Sequence, residues 1–360
     1  MRRYAGALVA AVALLAATAV LDPFRDYQLA TAAAYLSATA GLTVLTGLSG
    51  QLSLGHGALM AIAAYTVALT QNAFGAHGVG TQWTLLASLA AGTAAASVAG
   101  AVVGVAAARL RGPYLAGLTL VVAVAVPSVG TLAGGLLHGD QGLSVYLPPA
   151  PGWLGADAPY ERWQAIVALA AALLVMLLLG NLAASGFGRS MRAVRDDEVA
   201  AALAGIPVAR VRVLAFVVSA ACAGLGGGVF AILAQSVSPG AFSLTLSLNL
   251  LLAIVVGGLG SLAGAVWGSL LLVLLPWLTD SLARTVSLPP GAATRLAGNL
   301  PLAVFGLLLV IVMSAAPGGV QGLLNRAGRW VRGRRPGRHA RRVETSTPDA
   351  EPDAPLASRT

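Results

Sequence analysis

Apolar residues in this chain come in long runs. They show neither the alternation of a half-buried strand nor the single stripe of a surface helix. A helix rises 1.5 Å per residue, so about 20 apolar residues cross a hydrocarbon core of roughly 30 Å. Ten stretches of that kind are predicted, near 5–21, 28–48, 54–72, 84–108, 113–136, 163–184, 211–234, 243–258, 261–279 and 299–316. The clearest begins at Trp163, since Ala165 to Gly180 carries no polar side chain. Gly257, Gly258, Gly260 and Gly264 separate the eighth and ninth stretches, which read either as two spans or as one re-entrant unit. The expected fold is all-α: a polytopic membrane protein of about ten transmembrane helices, some broken, with an inverted internal repeat.

Charge orients the spans. Loops rich in Lys and Arg stay cytoplasmic, and with the N-terminus inside, ten crossings leave 18 Arg in the cytoplasm and 4 outside (Arg25, Arg162, Arg284 and Arg295). Both termini are then cytoplasmic. The start Met1-Arg2-Arg3, the apolar stretch and Ala17-Thr18-Ala19 also read as a secretory signal with its cleavage site. Cleavage there leaves the second span running outside to inside, so either reading keeps the topology. Residues 1–316 form a transmembrane domain. From Pro317 the chain turns Gly- and Arg-rich, then Pro-rich and acidic, and 317–360 is expected to be a disordered cytoplasmic tail whose basic part touches anionic lipid.

Composition narrows the chemistry. At 57% hydrophobic, 10% charged and mean hydropathy +0.81, the chain has too few charges to cover a water-exposed surface. All 22 basic residues are Arg, so a Lys-dependent phosphate loop, a Schiff base and a Ser-Lys dyad are excluded, and if the protein uses ATP another chain must hydrolyse it. One Cys and four scattered His show no metal-ligand spacing, and no cofactor or metal is expected. The +9 charge lies beside apolar runs and in the tail, which fits membrane orientation and not nucleic acid. No acid or Arg lies deep in a predicted span. That disfavours an ion-coupled carrier, which needs an ionisable group in the membrane, and leaves His56 alone there.

Polar, Gly-rich backbone does recur at membrane depth, in Gly47-Leu48-Ser49-Gly50-Gln51-Leu52-Ser53-Leu54-Gly55-His56-Gly57 and in Gly257-Gly258-Leu259-Gly260-Ser261-Leu262-Ala263-Gly264. Irregular backbone is tolerated there only where it is buried in protein or lines a wet cavity. Paired interruptions in two halves point to a repeat with a site at its interface. Gln51, Ser53, Gly55, His56, Gly257, Gly258 and Gly260 are therefore candidate pathway residues. The alternative is that the glycines only let helices pack closely. Outside, His138 to Ser144 opens a loop that serves either to dock a partner or as a plain connector.

The longest internal loop, within 185–209, predicts a short helix beside the bilayer. Arg192/Asp196 and Arg195/Glu198 are spaced for pairing, and Gly205 then Pro207 provide a stop. Its small Ala200-Ala201-Ala202 side lets another protein approach closely. The bland alternative is a solvated surface helix.

Taken together, Gly188-Arg189-Ser190-Met191-Arg192-Ala193-Val194-Arg195-Asp196-Asp197-Glu198 with Ala201 and Gly205-Ile206, Gly50 to Gly57, Leu110 to Ala116 with Thr119-Leu120, Asp140 to Leu143 and Gly257 to Ser261 resemble, in order, bacterial ABC importer permeases of the branched-chain amino acid family. The likeness covers roughly residues 40–315 and is to the LivM-type subunit more than to its LivH-type partner. It implies a coupling loop docking on a cytoplasmic ATPase through Gly188, Arg189, Arg192, Arg195, Asp197, Glu198, Ala201 and Gly205. It also implies a second, LivH-like membrane subunit, an external solute-binding protein and a place in the bacterial plasma membrane. Urea and short-amide permeases share most of these motifs, so the cargo stays open. Pro113, the run Asp196-Asp197-Glu198 and the tail depart from the family pattern.

Overall fold

A computed structural model describes residues 20–76, 81–110, 112–154, 159–285 and 318–333, with isolated positions between 13 and 18 and between 306 and 314. Most of the expected spans near 5–21 and 299–316, and the tail beyond 333, lie outside the described residues. The helices are α1 (Pro23–Thr43, continued by a π-turn, Val44–Leu48), α2 (His56–Ala76), α3 (Thr81–Arg109), α4 (Pro113–Leu132), α5 (Tyr160–Ala184), α6 (Gly186–Asp196), α7 (Glu198–Leu203), α8 (Val208–Ala234), α9 (Leu244–Gly257), α10 (Leu262–Thr285) and α11 (Gly319–Gly333). Seven described helices are long and apolar enough to cross a membrane, and they coincide with the second to eighth expected runs. The ninth run is α10, whose apolar part, Leu262–Leu278, is shorter. The architecture is all-α and polytopic.

These runs become helices because the hydrocarbon offers no partner to backbone N–H and C=O groups, which a helix satisfies within itself. Pro23 and Pro113 stand in the first turns of α1 and α4, where a missing N–H costs nothing. Starting at Pro23 and not at 28, α1 takes in Asp26, which is fully buried in its first turn with no hydrogen-bond partner for either carboxylate oxygen among the described residues. A buried acid thus does lie within a membrane-length helix, at its positive end, where a carboxylate is best tolerated.

Helix α8 occupies the centre, packed on α1, α2, α3 and α5. It fits because its glycines face neighbouring backbones: Gly226 lies on the Ala34 carbonyl and Gly227 on the backbone of Met60. Small residues at a helix contact replace the hydrophobic drive that lipid cannot supply. The outer faces of α3 to α5 remain apolar and exposed, as at Val102, Val121 and Leu174.

The two ends of the bundle differ. One carries the loop that follows α5. At the other, a two-stranded antiparallel ribbon, β1 (Leu143–Ser144) with β2 (Ser236–Val237), pairs Leu143 with Val237. Gln71, Gln82, Tyr160 and Trp163 each hydrogen-bond the backbone between Tyr146 and Pro149 there.

The chain divides into units Met1–Leu324 and Asn325–Thr360, the second described as far as Gly333, where it is helical. Gly319–Gly333 therefore departs from the disorder expected after Pro317. The sequence Gly319-Val320-Gln321-Gly322-Leu323-Leu324 gives a helical turn whose start is seated on the second Gly-rich break: Gly319 lies against Gly258, and Trp267 Nε1 donates to Gln321 Oε1 at 3.2 Å.

Candidate functional site

The first break is ordered by borrowed hydrogen bonds. After the π-turn the chain leaves helical geometry at Gly50 (φ 71°) and re-enters it at His56. The amide of Leu54 donates to Thr119 Oγ1 (3.0 Å) on α4, and that of Gly57 to Ser247 Oγ (2.9 Å) on α9. His56 is fully enclosed, with Nε2 2.7 Å from Ser219 Oγ on α8 and Nδ1 3.2 Å from Ser53 Oγ. Three hydroxyls from three other helices hold a segment that cannot hold itself. Ser53 and His56 thus stand inside the break as anchors, and Gly55 lies on the backbone of Thr119. Gln51 alone of this group borders a cavity, of ≈430 Å³, with Gly50, Leu110, Pro113 and Arg212, although its side chain is buried. Its Oε1 has no partner among the described residues.

The second break joins α9 to α10. Gly258 (φ 124°) and Gly260 (φ 80°) take backbone conformations open to glycine, whereas Gly257 lets α9 pack on the backbone of Gly264. The two breaks meet, because a Cβ on Gly47 would fall on the backbone of Gly260. Residues some 210 positions apart are brought into direct contact.

The internal loop folds as two helices, α6 and α7, not one. Ser185 caps α6, accepting from Gly188 N at 3.4 Å, and Asp197 interrupts it to cap α7, accepting from Val199 N (2.8 Å) and Ala200 N (3.0 Å). Gly188 lets the loop fold back onto the last carbonyls of α5, which Arg192 and Arg189 also bond (Ala183 O at 3.1 Å, Ala184 O at 3.4 Å). Gly205 (φ 81°) ends α7, with Gly205 N donating to Ala202 O and Ile206 N to Ala201 O, both at 3.0 Å. Met191, Val194 and Ala201 face inward, while Val199 (68% exposed) and Leu203 (84%) face out.

The expected pairs Arg192/Asp196 and Arg195/Glu198 do not form. Better acceptors are nearby, because the loop lies against the first break. Arg195 binds Asp196 (2.7 Å) and donates Nη1 to the carbonyl of Gly47 at 2.6 Å. Glu198 accepts from Arg212 Nη2 at 2.8 Å, a pair only 28% and 15% exposed, at the start of α8. Gln51 Nε2 in turn donates to Arg212 O at 3.4 Å. The loop therefore reaches the break twice, directly at Gly47 and through α8, whose Ser219 bonds His56 two turns from Arg212.

Sequence reasoning missed Arg212, Ser219 and Ser247. For Ser219 the available signal was a single hydroxyl in an otherwise apolar span, the pattern of an interhelical hydrogen bond; Ser247, beside Thr245 and Asn249, and Arg212 gave none as specific.

Residues 24–313 match the family described as branched-chain amino acid transport system / permease component. Over 265 residues the chain is 34% identical to the high-affinity branched-chain amino acid transport system permease protein LivM of Escherichia coli (strain K12), covering 66% of this chain and 60% of that one. It is 33% identical over 264 residues to the Salmonella typhimurium protein of the same description, with the same coverage. A probable branched-chain amino acid transport permease protein LivM of Methanocaldococcus jannaschii is 25% identical over 231 residues, covering 62% of this chain and 66% of its own. The chain thus spans 60% of the length of the first two curated relatives. No solved structure gives a significant match.

Proposed function

The chain belongs to the branched-chain amino acid transport permease family, and from that premise we propose that it is the membrane-spanning subunit of an ATP-driven importer. It passes branched-chain amino acids, delivered by an external binding protein, while separate cytoplasmic subunits hydrolyse ATP and a second, homologous membrane subunit completes the pathway. Its place is the bacterial plasma membrane, with ten crossings, both termini inside and the two breaks related by an inverted repeat. The contact of Gly47 with Gly260 supports that relation.

The observation that carries this reading is the bond from Arg195 to the Gly47 carbonyl. Val199 and Leu203, apolar and exposed on α7, offer the ATPase a seat. Motion imposed on α6 and α7 then passes to the first break at Gly47 and, through Glu198, Arg212 and Ser219, to His56. In this mechanism Gly188, Asp197 and Gly205 shape the lever, and Arg189 and Arg192 fasten it to α5. Ser53, Gly55 and His56 give the break something to turn against, Gln51 faces the solute from the inner cavity, and Gly257, Gly258 and Gly260 form the surface on which the break slides.

The test is reconstitution of the complete transporter in proteoliposomes. Arg195→Gln should leave ATP hydrolysis running while L-leucine uptake falls about tenfold or more, the loss of one charge-assisted hydrogen bond. Uptake driven by an ion gradient in this chain alone would overturn the proposal, and uptake of urea but not leucine would change the cargo.

A further inference from the structure

A cleft of ≈390 Å³ opens at the ribbon end of the bundle, between the C-terminal half of α4 and the start of α9. The mechanism above makes no use of it. Its volume lies in the range of small-molecule sites, roughly 300–1,000 Å³. One wall is made of acceptors. Ser128 donates its hydroxyl proton to Val124 O and Thr131 donates to Ser128 O, both at 2.8 Å, so their oxygen lone pairs are left for a cationic donor. Asp140 lines the same cleft and has no basic partner among the described residues. Its placement is fixed: the turn Gly139–Gln141 sits between His138 (φ 57°) and Gly142 (φ 72°), and the β1–β2 pairing follows at once.

The facing wall is made of donors. Ser243 and Leu244 line the cleft at the N-terminus of the 14-residue α9; Ser243 makes no side-chain capping bond, and although Leu246 N donates to Ser243 O (3.0 Å), the amides of Leu244 and Thr245 are left for another acceptor. Such a terminus attracts carboxylates. A third observation is independent of both walls. The Tyr65 hydroxyl, in a side chain only 6% exposed, has no partner among the described residues. It lies behind the cleft residue Pro239: a Cβ on Gly130 would be 3.1 Å from the hydroxyl and 3.1 Å from Pro239 Cγ.

We propose that this cleft receives a zwitterionic α-amino acid, its ammonium held by Asp140, Ser128 and Thr131 and its carboxylate by the first turn of α9. The assignment rests on the transport reading and adds where the solute first binds. The same face of α4 carries Ala123 in the cleft, Thr119 against Leu54 and Gly55, and Ala116 in the inner cavity. A solute in the cleft is therefore separated from the inner cavity by the Thr119–Gly55 contact.

The experiment uses right-side-out vesicles containing the complete transporter. Cys222, the only cysteine, is replaced (Cys222→Ser), and Gly240→Cys, on the cleft wall with nothing within 4 Å of its Cβ, is labelled with a membrane-impermeant maleimide. L-leucine should slow labelling, and leucinamide, 4-methylpentanoate and urea should not. Asp140→Asn should raise the protecting leucine concentration about tenfold or more, the effect of one charge-assisted bond, and Ser128→Ala with Thr131→Val gives a second reading of the same wall. ATP-driven leucine uptake without protection, protection by urea, or protection indifferent to both variants overturns the cleft assignment. Absence of ATP-driven uptake of any solute in these vesicles overturns the transport reading itself.

Discussion

At membrane depth a polar side chain has only other parts of the protein to bond, so each one is either a fastening or a fault. His56 is a fastening, joined to Ser53 and Ser219 while fully buried. His56→Leu should destabilise the detergent-solubilised chain by about 1–3 kcal/mol, because Ser219 and Ser53 each lose the bond to the imidazole. Adding Ser219→Ala should recover part of that loss, which thermal unfolding of the single and double variants would measure. Glycines divide in the same way. Gly47→Ala drives a methyl into the backbone of Gly260 and should lower the melting temperature, whereas Gly180→Ala, with open space around it, should not. The histidine and both glycines were plain in the sequence. Their partners were not, since Ser219 stands 163 residues from His56.

Helical elements were legible to the degree that their causes are local. The seven membrane-length helices and the amphipathic loop follow from runs of apolar residues and from Gly205, whose positive φ ends α7. The loop's internal pairing did not follow. Helical spacing offered Arg195 to Glu198, but Asp197 breaks the helix between them, and each found a partner on another element. If Glu198 and Arg212 act as a strut to α8, Glu198→Arg and Arg212→Glu should each impair leucine uptake, and the double swap should restore much of it without changing ATP hydrolysis. Equal, additive losses would show two unconnected residues.

For the molecule as a whole, the charge asymmetry and the folded bundle agree on two unlike ends. Arg109, Arg195 and Arg212 lie at the end that bears the loop, and Asp140 lies at the end that bears the ribbon. Alkaline phosphatase, which is active only outside the cytosol, should be active when fused after Pro149 and inactive when fused after Arg189. The reverse pattern would invert the molecule and place α7 outside the cytosol, against the proposed docking of an ATPase there. The outward apolar faces of α3 to α5 supply a surface for lipid.

What the chain's own order of residues determined is what a bilayer imposes on any local stretch: the length of a span and the places where glycine and polar groups cannot continue a helix. The family likeness was legible for the same reason, as short motifs in order. Only the tertiary structure decided that the two breaks touch, that hydroxyls from α4, α8 and α9 satisfy the first of them, and that Arg195 reaches the Gly47 carbonyl across 148 residues. Such contacts depend on how helices pack side by side, and no window along the chain contains both partners.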